Sequence, residues 1–163
     1  MSFKRILIAV DDSEFAARAA EVGVELAKSL KAQVGFIHVF DPSVGPGATW
    51  GVPADRLTEM SERAAKDLVA TFRERTIIRS SIREFVEPGK PASKIIETAN
   101  SWDADLIVIG SHGRGKMGDL LLGSVSQEVV HHAPCPVLVV RPETELSPRK
   151  SAGAVGLPAT AQP

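Results

Sequence analysis

The chain has 163 residues, enough for one domain with a single buried core, and 44% of them are hydrophobic against 24% charged, the balance of a globular protein. A formal net charge of −1 gives no general attraction to nucleic acid or to an acidic membrane. Cys135 is the only cysteine, which excludes an internal disulfide and fits a reducing compartment.

In chain order, Phe3 to Val10 reads as a strand buried on both faces. It is a near-continuous apolar run, cut off by Asp11-Asp12 before it is long enough for a signal segment or a membrane span. The expected location is cytoplasmic. Ser13 or Asp12 is suited to cap the next helix. Phe15, Ala19, Val22, Leu26 and Leu30 recur at steps of three and four, which predicts one apolar stripe ending at Lys31-Ala32. Gln33 to Phe40 forms the second strand. Residues 41–53 carry three prolines and three glycines and read as a loop or lid. A second helix is expected over Ala54–Arg75, with Leu57, Met60, Ala64, Leu68 and Phe72 on one face.

The third strand lies within Ile77–Val86, where polar residues interrupt the apolar ones as they do at a sheet edge. Glu87 to Pro91 turns the chain, and Pro91 fits the first position of a helix that buries Ala92, Ile95, Ile96, Ala99 and Trp102. Leu106 to Ile109 is the fourth strand. A helix from about Leu120 to His132 buries Leu122, Val125, Val129 and Ala133, and Val137–Val140 is the fifth strand. Beyond Arg141, prolines among Ser, Ala, Gly and Thr show no apolar period and predict a disordered tail over 143–163. Strands alternating with helices imply right-handed crossovers and a parallel sheet covered on both faces.

The most informative stretch is 105–126. Gly110 ends the fourth strand, and Gly113, Gly115 and Gly118 follow within nine positions. Residues without side chains let backbone amides close around an anion, and a helix N-terminus adds its positive end. Arg114 and Lys116 bring full charge to the same loop. Gly110-x4-Gly115-Lys116 lacks the hydroxyl of a Walker A loop, because Met117 stands where Ser or Thr would hold Mg²⁺. Gly113-x-Gly115-x-x-Gly118 matches a dinucleotide fingerprint but does not follow the strand directly, and no ribose-binding acid ends the next strand. Asp11, at the end of a central strand, reads either as a helix-entry turn or as a ligand-binding carboxylate. Ser124 and Ser126 read either as phosphate contacts or as helix caps. His112 has no evident nucleophile or orienting acid beside it in sequence, and adjacent His131 and His132 cannot share one helix face with Cys135 as a metal site.

A third spacing, Gly110-x2-Gly113-x9-Gly123-Ser124, resembles the motif of ATP-binding members of the universal stress protein family. Lys4 to Glu14, Val34 to Asp41, Leu122 to Ser126 and Pro134 to Val140 resemble other parts of that family, so the likeness spans about residues 2–142. It implies a single α/β domain over 1–142 of adenine-nucleotide alpha-hydrolase-like type, with an open five-stranded parallel sheet ordered 3-2-1-4-5 and helices on both faces. That order puts Asp11 opposite the glycine loop at a topological switch point. It further implies ATP with Mg²⁺ as ligand, held by Ala9, Val10, Asp11, Val39, Ile109, Gly110, His112, Gly113, Arg114, Gly123, Ser124, Val125 and Ser126, with Asp11 near the metal. A homodimer through Val137–Val140 and a nucleotide-responsive role in the stress response are also implied. The alternatives are a slow ATPase or nucleotidyl-transfer enzyme in the same pocket, or a dimeric scaffold indifferent to nucleotide.

Overall fold

The computed structural model describes residues 3–42, 53–77, 81–113 and 122–141. Most of the loop expected at 41–53, the segment 78–80, the part of the glycine loop holding Arg114, Lys116 and Leu120, and the tail at 143–163 lie outside the described residues. The elements are β1 (Arg5–Ala9), α1 (Glu14–Leu30), β2 (Gln33–Phe40), α2 (Ala54–Glu74), β3 (Ile82–Pro88), α3 (Pro91–Ser101), β4 (Leu106–Gly110), α4 (Ser124–His132) and β5 (Val137–Val140). The strands form one sheet in the order β3-β2-β1-β4-β5, with every neighbouring pair parallel. The fold class and strand order expected from the sequence are those observed.

Two apolar layers hold the sheet, and strand alternation decides which residue serves which layer. Ile6, Ile8, Val34, Phe36 and Val108 face α1 and α2, whereas Leu7, Ile37, Ile107 and Ile109 face α3 and α4. Full burial of such a side chain contributes about 1.5–3 kcal/mol. β1 from Ile6 onward and all of β4 are therefore buried and free of polar side chains, as suits central parallel strands. At the opposite end of the sheet, Asp105 Oδ2 accepts from the backbone N–H groups of Lys4 and Arg5 at 2.8 and 2.9 Å and ties β1 to β4.

The helices settle differently from their most bulky stripes. On α1 the buried line is Phe15, Ala16, Ala19, Ala20, Gly23, Val24 and Ala27, while Val22 and Leu26 sit at its margin and Leu30 is exposed. The helix comes so close that a Cβ on Gly23 would meet Ile8 Cδ1 at 2.7 Å, and only small residues fit that line. On α2 the buried residues are Ser61, Ala65 and Val69, with Phe72 packed beside them; Ala64 and Met60 face outward. On α3 Thr98 is buried where Ile96 was expected, and Ile96 is only half-buried. β3 ends at Pro88, two residues later than expected, because the turn is made by Gly89 at φ 132°. That glycine's N–H donates to Phe40 O.

Candidate functional site

The chain leaves β1 toward β2 on one side and leaves β4 toward β5 on the other, so the connections at the ends of these two paired strands run in opposite directions. The crevice so formed holds an open cavity of about 270 Å³. That is close to the lower bound of about 300 Å³ usual for small-molecule sites. Ala9, Val10, Asp11, Val39, Ile109, Gly110, His112, Gly113, Gly123, Ser124, Val125 and Ser126 all line it. Every described residue that the family resemblance assigned to the nucleotide is thus gathered at one place. Arg114 lies outside the described residues.

One wall is apolar. Ala9 and Ile109 from the sheet, with Ile37 and Val39 from β2 and Pro91 and Ile95 from α3, offer a surface that would take a flat aromatic ring. The backbone beside it has a definite direction. Gln33 N–H donates to Lys4 O at 2.7 Å and Val10 N–H to Ile37 O at 2.9 Å, so odd-numbered residues of β2 aim their peptide groups at β1. Gly89 bonding to Phe40 shows that even-numbered residues face β3. By the same alternation Val39, being odd, turns its N–H and C=O to the β1 side, beyond the last paired residue Ala9.

The opposite wall is built of backbone. Gly123 N–H donates to Ser111 O at 2.7 Å, which folds the chain before α4 back onto the end of β4. Gly123 is the N-cap residue and has no side chain to satisfy the first-turn amides of α4. α4 begins at Ser124, not near Leu120 as expected: Leu122 lies in a bend and Gly123 has extended backbone. Gly110 and Gly113 are required by close approach. A Cβ on Gly110 would meet Phe15 Cβ at 2.8 Å and its carbonyl carbon at 2.9 Å, and one on Gly113 would stand 2.6 Å from Asp11 Oδ2.

Asp11 takes the helix-entry role that its position allowed. Its Oδ1 accepts from Ser13 N–H at 2.9 Å and from the Ser13 hydroxyl, and that hydroxyl accepts from Ala16 N–H at 3.1 Å as the cap of α1. Oδ2 is turned toward Gly113. The two serines separate. Ser124 is exposed, whereas Ser126 is 2% exposed with its hydroxyl 2.8 Å from Ser111 O and 2.9 Å from Gly123 O. In this geometry the Ser126 proton goes to backbone carbonyls, and its hydroxyl fastens the start of α4. His112 lies against the Phe15 ring at 5.2 Å and places Nδ1 3.2 Å from Ser111 Oγ.

Sequence reasoning did not single out His38, buried in the crevice with Nδ1 2.8 Å from Val10 O, or Ser111, whose carbonyl receives both Gly123 and Ser126. The signal for His38 was a titratable residue in the middle of an otherwise apolar central strand. No group of three or more His, Cys, Asp or Glu suited to a metal ion occurs among the described residues, and no helix among them is long and apolar enough to cross a membrane.

Comparison with known proteins gives the same picture. Residues 2–141 match the model of the universal stress protein family. A universal stress protein of Thermus aquaticus is 38% identical over 141 residues, spanning 85% of this chain and 99% of that one. The universal stress protein UspA from Lactobacillus plantarum superposes with a TM-score of 0.73 at 28% identity, covering 86% of this chain and 99% of its own. The universal stress protein from Archaeoglobus fulgidus in complex with dAMP gives a TM-score of 0.57 at 25% identity, over 85% of this chain and 98% of its own.

Proposed function

The chain belongs to the universal stress protein family, and from that membership we propose that its crevice binds ATP together with Mg²⁺ and that the protein is a nucleotide-responsive module of the stress response. The observation that carries this reading is the pairing of an apolar, peptide-edged wall with a side-chain-free cradle across one crevice. The relative solved with dAMP supports an adenine nucleotide as the ligand class.

The residues fit such a group. A side chain at Gly113 would crowd the Asp11 carboxylate across the cradle, and the α4 amides lack a capping side chain at Gly123. Ala9, Val10, Val39 and Ile109 would hold the base, with the Val39 peptide presenting one donor and one acceptor to its edge. Asp11 would receive ribose hydroxyls or stand near Mg²⁺, which offsets the repulsion between a carboxylate and a phosphate chain. Gly110, His112, Gly113, Arg114, Gly123, Ser124 and Val125 would border the phosphates, with Ser126 bracing them from below. ATP·Mg²⁺ would supply binding energy that differs between conformations, which is what a switch requires.

We also assign the homodimer contact to β5. It is an edge strand whose Val137, Leu138 and Val139 are each only half-buried, and unpaired apolar edges invite pairing with a second copy. The reading is tested by calorimetric titration of ATP·Mg²⁺ into nucleotide-stripped protein, beside a Gly113→Ala, Gly123→Val variant. Binding by the native chain and at least about a tenfold loss in the variant is the expected result. A well-folded native chain that takes up no ATP overturns it, and turnover measured in the same samples separates switch from enzyme.

A further inference from the structure

The ladder between β1 and β2 follows a strict alternation. Lys4 O receives Gln33 N–H, Val10 N–H reaches Ile37 O, and the register between them pairs Arg5 with Gln33 through Ala9 with Ile37. The next rung of a parallel ladder would be Val39 N–H donating to Val10 O. Among the described residues that carbonyl is instead met by the His38 ring, with Nδ1 at 2.8 Å. A carbonyl only accepts, so Nδ1 carries the proton and fixes the tautomer of a side chain that is 6% exposed. The imidazole bends over the end of β1 and takes the place of a peptide group.

We propose that His38 is a positioning residue for base recognition: by taking Val10 O it ends the β1–β2 ladder one rung early and keeps the Val39 N–H directed at the crevice. The proposal rests on the reading that a nucleotide base lies against Val39. Its chemical logic is simple. An adenine edge carries a ring-nitrogen acceptor beside an amine donor, the complement of one peptide N–H and its C=O. A completed ladder would use up that N–H. The same bond holds the carbonyl of Val10, one residue before Asp11, and so sets the direction in which the acidic turn leaves the strand.

The test uses full-length protein, His38→Phe, which keeps a ring but donates nothing, and His38→Asn, whose amide restores a donor near the Nδ1 position. In nucleotide-free native protein the Val39 amide should exchange with solvent at least about tenfold faster than that of Ile37, and His38→Phe should slow it by a similar factor as the rung closes. ATP·Mg²⁺ affinity should fall about tenfold in His38→Phe and return in His38→Asn. A Val39 amide already protected in the native chain, or unchanged in His38→Phe, overturns the proposal. So does an equal loss of affinity in both variants, which is the mark of a space-filling role. A native chain that binds no ATP removes the functional reading alone, because the exchange comparison still decides what His38 does.

Discussion

Asp11 and Gly113 meet across the crevice so closely that a single carbon added to Gly113 would lie 2.6 Å from Asp11 Oδ2. The carboxylate cannot swing away without loss, since Ser13 holds Oδ1 through its N–H and its hydroxyl. Gly113→Ala should therefore push the glycine loop outward and leave the sheet intact. The expected outcome is at least about a tenfold loss in ATP·Mg²⁺ affinity with thermal stability lowered by no more than about 1 kcal/mol, read by calorimetry and by thermal unfolding. An unaltered affinity would show that the close approach has no part in binding.

Gly110 makes the opposite prediction. A Cβ there would press on Phe15 Cβ, its carbonyl carbon and its carbonyl oxygen, the last at 3.0 Å. These atoms belong to the first turn of α1, whose start is fixed by the Ser13 cap, so the helix as a whole would have to lift from β4. Gly110→Ala should cost about 1–3 kcal/mol, the range for forcing a methyl into a packed interior, with denaturant unfolding as the measurement. A loss of affinity without that loss of stability would contradict the packing argument.

Much of this was legible because central parallel strands carry near-continuous apolar runs and the glycine spacing is chemically specific. The runs at Ile6–Val10 and Leu106–Ile109 gave the sheet, and Gly110, Gly113 and Gly123 gave the place of the cradle. Helix faces were less legible. Bulk marks the contact face only when helix and sheet stand at an ordinary distance, and α1 approaches along Ala16, Ala19, Ala20 and Gly23 instead, leaving Val22 and Leu26 as flanks. The carbonyl partners of Ser126 and His38 were not legible. Both depend on which backbone carbonyl a fold brings within 3 Å, and nothing in the local sequence records that.

Ser61 offers a gain in stability. Its hydroxyl sits on the inward face of α2, the residue 6% exposed, and has no hydrogen-bond partner among the described residues. A buried hydroxyl that has left water without replacement costs about 1–3 kcal/mol, and alanine is also the better helix former. Ser61→Ala should stabilise the fold by about 0.5–1.5 kcal/mol in denaturant unfolding, the desolvation relief being partly offset by the small void left. Destabilisation would mean that the hydroxyl is satisfied in solution.

Cys135 gives a pH dependence of definite sign. Burial raises its thiol above the ordinary range, the negative charge of Asp105 raises it further, and a backbone hydrogen bond involving Ile107 only partly opposes them. The thiolate is the reactive form, so alkylation of the folded protein should inflect at a higher pH than that of a free thiol and be slow near neutrality. Stability follows by linkage. In the window between the unfolded and the raised folded value, the folded chain holds a proton that the unfolded chain has lost. The contribution of Cys135 is thus unaffected below the unfolded thiol value and falls as pH rises through that window. Cys135→Ala should flatten this alkaline decline in a pH series of unfolding measurements. Asp105→Asn should move the alkylation inflection down, toward that of a free thiol, while leaving the half-buried position of the sulfur in place. An inflection that stays put would assign the whole shift to burial.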